Sequence, residues 1–151
     1  MVERPLHSLA DTKKLAEMLA SQVRCGDVIT VAGDLGAGKT TFAQFLIGAL
    51  SPEKVEVTSP TFTLLQTYDV VSAQGQTSEL HHYDLYRIEH ASALAELGLE
   101  DALNGITLIE WPERLGGYRL PVSLALSFTL KEDGSRNVSI VTHAPHLKAF
   151  A

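Results

Sequence analysis

Eight residues in the first third of the chain constrain it most: Gly33-Asp34-Leu35-Gly36-Ala37-Gly38-Lys39-Thr40. They fit the pattern G-x-x-x-x-G-K-[ST]. Glycines in such a run let backbone N–H groups turn inward and approach an anion closely. Lys39 carries a point charge suited to the β- and γ-phosphates of a nucleotide, and the Thr40 hydroxyl suits Mg²⁺. From average residue frequencies, a chance match in a chain this long arises roughly once in two hundred. The flanks strengthen the case. Val28-Ile29-Thr30-Val31-Ala32 precedes the run, short and nearly all apolar, as in a parallel strand buried on both faces. A helical pattern follows from Lys39 to about Leu50, with Phe42, Phe45, Leu46 and Ala49 on one stripe and Pro52 closing it. A helix beginning there offers unpaired N–H groups and the positive end of its dipole. Strand, glycine-rich turn and helix in that order predict a phosphate cradle.

The rest of the chain supplies strands and helices to surround it. Asp11 to Arg24 reads as a helix, with Leu15, Met18, Leu19 and Val23 on one face and Asp11 or Thr12 as the N-cap. Val55-Glu56-Val57, Thr61 to Val71 and Glu79 to Tyr86 read as strands. The polar turn Ser72 to Gln76 joins the last two as a hairpin. Ala91 to Leu97 and Leu99 to Leu103 read as short helices broken by Gly98. Ile106-Thr107-Leu108-Ile109 is a second buried strand, ended by Glu110-Trp111-Pro112. Val122 to Lys131 and Asn137 to Thr142 form a hairpin around Asp133-Gly134. The expected fold is α/β, with an antiparallel portion at one edge of the sheet.

Composition sets the limits. With 151 residues, 45% hydrophobic and 20% charged, residues 1–151 are expected to form a single domain with a core of its own. One cysteine, Cys25, excludes an intrachain disulfide and a cysteine-based zinc site. A net charge of −6 argues against a broad phosphate-backbone binder, so no DNA partner is expected. No apolar run approaches the roughly 20 residues of a membrane span, and the N-terminus lacks a signal-peptide pattern. A cytoplasmic protein of a reducing compartment, with no membrane partner, is the expectation.

Chemistry on a magnesium-bound nucleotide needs an acidic group near the metal, on a neighbouring strand end. Glu110 follows a core strand directly, where sites of α/β sheets form. Asp84 lies in His82-Tyr83-Asp84-Leu85-Tyr86-Arg87, where His82, Asp84 and Tyr86 share one strand face. That face reads equally as a site or as a polar sheet surface. Thr58-Ser59-Pro60-Thr61-Phe62-Thr63 is rich in hydroxyls and suits a switch loop, although composition alone favours a plain turn into a strand. Trp111 reads either as core or as a wall of the nucleotide pocket. Arg87 suits phosphate pairing or a strand-end ion pair.

The nucleotide class narrows by elimination. None of the seven aspartates begins D-x-x-G and there is no Asn-Lys pair, so the guanine-nucleotide signatures are missing. The six arginines, at positions 4, 24, 87, 114, 119 and 136, are scattered, so neither a kinase lid nor an arginine finger is visible. A small ATPase that drives another process is the leading reading, and a small-molecule P-loop kinase the alternative.

Together the motifs resemble one family. Gly33 to Thr41, Ser59-Pro-Thr-Phe-Thr-Leu64, His82-Tyr-Asp-Leu-Tyr-Arg87, Glu96-Leu-Gly-Leu99 and Ile109-Glu-Trp-Pro112 occur in the order of the TsaE family, also called YjeE. Its members are small ATPase subunits of the bacterial machinery that makes N6-threonylcarbamoyladenosine in tRNA. The resemblance implies an α/β, P-loop NTPase-like three-layer sandwich whose mixed sheet has antiparallel edge strands. It also implies ATP or ADP with Mg²⁺, partners like TsaB and TsaD, and tRNA reached indirectly through that complex. Hydrolysis would reset the complex between turnovers, at a low intrinsic rate. It implies that Asp34, Leu35, Gly36, Ala37, Gly38, Lys39, Thr40 and Thr41 hold the phosphates. Thr40 and Glu110 would hold the metal, with Asp84 beside it or beside the attacking water. Lys39, Asp84 and Glu110 would be the catalytic set. Ser59, Pro60 and Thr61 would act like a switch, Leu9 to Thr12 would lie near adenine, and Trp111 would lie near the nucleotide.

Overall fold

The computed structural model describes residues 2–34, 36–53, 57, 64–116 and 118–150. The strand expected at 55–57 falls largely outside that set, and Val57, which is described, lies in no strand. Seven strands form one sheet: β1 (Val2–Leu6), β2 (Val28–Ala32), β3 (Leu65–Val71), β4 (Thr77–Asp84), β5 (Ile106–Glu110), β6 (Leu124–Leu130) and β7 (Arg136–Thr142). Their order is β1-β7-β6-β2-β5-β4-β3. The four central strands run parallel, β6 beside β2, β2 beside β5, and β5 beside β4. β3 pairs antiparallel with β4 at one edge, and β7 and β1 continue antiparallel at the other. Antiparallel strands therefore flank both edges, one more than the apolar patterning shows.

The two faces of the sheet are covered unequally. Ile29, Val31, Ile106 and Leu108 pack on one side against α1 (Leu9–Ala20) and α2 (Lys39–Leu50), through Leu15, Leu19, Phe42, Leu46 and Ile47. Val28 and Ile109 face the other side, where short helical turns over Ala91–Leu97, Leu99–Ala102 and Pro112–Leu115 form a thin third layer. Because β2 and β5 are buried on both faces, their sequences are nearly all apolar rather than alternating. Tyr83 on that thinner side is buried and donates to the Leu97 carbonyl at 2.8 Å. Burial pushes its phenol up to about 12.

Several boundaries differ from the patterning for identifiable reasons. Helix α1 starts at Leu9, two residues before Asp11, because Ser8 is the N-cap and its Oγ accepts from Asp11 N. Asp11 Oδ2 in turn accepts from His7 N at 2.9 Å, so the aspartate closes the cap instead of opening the helix. The helix ends at Ala20, short of Arg24. The sequence of β1, Val-Glu-Arg-Pro-Leu, does not alternate in polarity although its burial does, and its pairing with β7 makes it a strand. The hairpin of β3 and β4 turns at Ser72–Gln76 as expected, with Ser72 N donating to the Gln76 carbonyl. No helix of the described residues is long and apolar enough to cross a membrane.

Candidate functional site

The carboxyl ends of β2, β5 and β4 meet at one end of the sheet. The glycine-rich loop leaves β2 there and returns as α2, whose N-cap is Gly38 with no side chain to satisfy the first-turn N–H groups. Those donors are left for a ligand. Gly33 leaves the strand at φ 141°, and a Cβ at that position would stand 2.5 Å from the Phe128 carbonyl oxygen of β6. Only glycine lets the loop pass so close to the neighbouring strand. Gly38 is also left-handed, at φ 110°, and a Cβ there would meet Arg136 Cδ at 3.1 Å.

The loop borders a cavity of about 260 Å³ lined by Gly36, Gly38, Lys39, Thr40, Thr41, Asp84, Tyr86, Glu110, Trp111 and Arg136. Lys39 is buried, donates to the Gly33 carbonyl, and places Nζ 3.3 Å from the centroid of the Trp111 ring. Burial pulls its ammonium below the ordinary lysine value, against the opposing pull of Glu110, Glu113, Asp84 and Asp34. Trp111 itself adopts a left-handed backbone at φ 60°, which is costly for a bulky residue. Its ring tilts against Tyr86 at 4.9 Å.

Strand register brings the acids together. Asp84 of β4 is the direct partner of Glu110 of β5, and both are buried. Glu110 Oε1 stands 3.5 Å from Thr40 Oγ1, while its Oε2 lies 2.6 Å from His82 Nε2. Asp84 Oδ1 accepts from Tyr86 N at 3.0 Å. Two buried carboxylates and a hydroxyl are hard oxygen donors, the set that Mg²⁺ takes. No group of three or more His, Cys, Asp or Glu among the described residues could hold a metal by itself. Mg²⁺ does not need such a cage, because it is held by one or two carboxylates together with substrate phosphates. The residues present therefore fit magnesium delivered with a polyphosphate.

The structure thus gathers Gly36, Gly38, Lys39, Thr40, Thr41, Asp84, Glu110 and Trp111 around one cavity. Ala37 is buried beneath the loop, with its N–H donating to the Asp34 carbonyl at 3.1 Å. Leu9 and Thr12 are not brought to the cavity wall; they lie in the first turn of α1, Leu9 exposed and Thr12 buried. Arg87 borders a separate surface depression with Glu89, His90 and Glu96. Leu35 and the hydroxyl-rich segment with Ser59, Pro60 and Thr61 lie outside the described residues.

Sequence reasoning missed Arg136. It begins β7, pairs with Leu130 at the carboxyl end of β6, and so reaches the same end of the sheet as the loop. Its Nη2 donates to the Gly36 carbonyl at 3.3 Å, and its Nε is buried with no partner among the described residues. No local signal marks it, since it lies in neither a basic run nor a motif.

Comparisons with known proteins give the family and a matching fold. A family model described as "Threonylcarbamoyl adenosine biosynthesis protein TsaE" matches residues 6–138. The tRNA threonylcarbamoyladenosine biosynthesis protein TsaE of Rickettsia conorii is 39% identical over 139 residues, covering 91% of this chain and 77% of the relative. The protein of the same name from Aquifex aeolicus is 36% identical over 136 residues, covering 89% and 92%. The crystal structure of Bacillus subtilis YdiB superposes with a TM-score of 0.72 at 28% identity, covering 98% of this chain and 89% of that one. The matched span contains every residue that lines the cavity, and the chain belongs to the TsaE family.

Proposed function

We propose that this chain binds ATP with Mg²⁺ and hydrolyses it to ADP and phosphate. Its role would be in forming N6-threonylcarbamoyladenosine in tRNA, where hydrolysis is coupled to turnover of a TsaB- and TsaD-like pair. The protein would be cytoplasmic and would meet tRNA through that complex. The observation that carries this reading is the convergence of Lys39, Thr40, Asp84 and Glu110 on one cavity at the start of α2. The names of the relatives, all tRNA threonylcarbamoyladenosine biosynthesis proteins, supply the pathway.

The residues divide the work. The loop amides, the α2 N-terminus and Lys39 grip the phosphates, and Arg136 adds a second cation on the side facing β7. Thr40 and Glu110 would hold Mg²⁺, which supplies charge neutralisation for the phosphates when bound. Asp84 orients a water for in-line attack. The new bond joins the water oxygen to the γ-phosphorus, the bond to the β–γ bridging oxygen breaks to leave ADP, and both protons of the water leave with the product as dihydrogen phosphate. The Trp111 ring covers the lysine and restricts water around it, and Tyr86 packs against that ring.

Steady-state ATP turnover by the purified chain, alone and with the TsaB–TsaD pair of the same source, tests this function. Strong stimulation by the pair is expected. Turnover that the pair leaves unchanged, together with phosphate transfer to an acceptor other than water, would overturn the coupling and leave the kinase.

A further inference from the structure

We propose that His82 is a positioning residue that locks Glu110 for magnesium. This role rests on the magnesium–nucleotide reading of the cavity, whose wall His82 itself does not line. His82 and Glu110 are both almost fully buried, and their side chains meet at 2.6 Å through Nε2 and Oε2. That is the length of a strong, charge-assisted hydrogen bond. The register explains the meeting. His82 pairs with Leu108 and Asp84 with Glu110 across β4 and β5, so His82 lies one pleat behind the acidic pair.

The bond divides the labour of the carboxylate. Oε2 is tied back to the imidazole, so Oε1 is turned toward Thr40 Oγ1 at 3.5 Å. A glutamate has three rotatable bonds and its carboxylate spins easily about the last one. A buried donor behind it removes that freedom before the metal arrives. Donation by Nε2 also suits the imidazole. Nδ1 is buried without a partner among the described residues, so it then carries a lone pair instead of a stranded proton. Asp84, the other acid of the pair, is held from behind by a backbone donor, Tyr86 N. Glu110 has a side chain in that place, and its contribution is therefore open to substitution.

Outer partners of this kind set metal affinity by about 10- to 100-fold. The test is calorimetric titration of the non-hydrolysable ATP analogue AMPPNP at stepped Mg²⁺ concentrations. His82→Leu fills the space and removes the donor. It is expected to raise the half-saturating Mg²⁺ about ten-fold or more, with AMPPNP binding in EDTA unchanged. His82→Gln, whose amide nitrogen lies near the position of Nε2, is expected to restore the wild-type Mg²⁺ curve. A role in packing alone would not give that rescue. If His82→Leu does not fold cooperatively, His82→Asn, polar but too short to reach Oε2, takes its place. A wild-type Mg²⁺ curve in the donorless variant would overturn the proposal, as would a glutamine variant no better than leucine. If the wild-type protein itself shows no Mg²⁺-dependent AMPPNP binding, it is the magnesium–nucleotide reading that fails, and this inference falls with it.

Discussion

Arg136 lies 100 residues along the chain from Gly36, whose carbonyl its Nη2 reaches. Its stem fills the space that a Cβ on Gly38 would need, so the glycine and the arginine fit as a pair. A guanidinium on the cavity wall whose Nε is buried, with no partner among the described residues, is a ready donor to an anion. Arg136→Ala is expected to weaken AMPPNP binding by about ten-fold or more, without lowering the melting temperature appreciably. Arg136→Lys should recover only part, because an ammonium cannot reproduce the planar fork. Trp111 is the sole tryptophan and lines the same cavity, so its fluorescence gives a direct titration signal. Unchanged affinity in the alanine variant would remove Arg136 from the phosphate site. Lys39, Thr40 and Glu110 were legible as site candidates from the sequence, because each sits in or beside a patterned strand or loop. Arg136 was not, because strand pairing alone carries it there.

Elements formed by local chemistry were the easiest to read. The patterning places β2 and α2 at their observed limits, since a β-branched apolar run and a glycine N-cap define them locally. The short helical turns over Ala91–Leu97 and Leu99–Ala102 likewise divide at Gly98, which is left-handed. The pattern places the start of α1 too late because Ser8 and Asp11 are both good capping residues, and the local bonds use the serine as the cap and the aspartate to close it. Ser8→Ala is expected to cost about 1 kcal/mol of stability, measured by chemical denaturation, with nucleotide affinity unchanged. A stability equal to wild type would mean that packing of Leu15 and Leu19, and not the cap, sets the helix start. The edge strand β1 was invisible in advance, because an edge strand takes its structure from its neighbour's hydrogen bonds.

Across the whole molecule, the sheet has two chemically distinct ends. The carboxyl ends of the parallel strands carry the cavity beside the glycine-rich loop. At the amino end of β2, buried Asp27 ties several segments together. Its Oδ1 accepts from Ser123 Oγ before β6 at 3.0 Å, and its Oδ2 accepts from Arg24 N at 2.8 Å. That oxygen also lies 2.7 Å from His146 Nε2, in the last helical turn. Asp27→Ala strands these donors and is expected to cost about 2–3 kcal/mol, while AMPPNP affinity in the folded protein stays at the wild-type value. Paired denaturation and calorimetry check this, and a matched loss of affinity would show that the two ends are coupled. By itself the sequence determined the glycine-rich loop, the buried strand and helix around it, and the acid at the end of β5, since backbone sterics and hydrophobic periodicity act over a few residues. Only the tertiary structure decided that Asp84 stands beside Glu110, that His82 backs that glutamate and that Arg136 closes the cavity. Those placements depend on strand order and register, and these are set by packing among segments far apart in the chain.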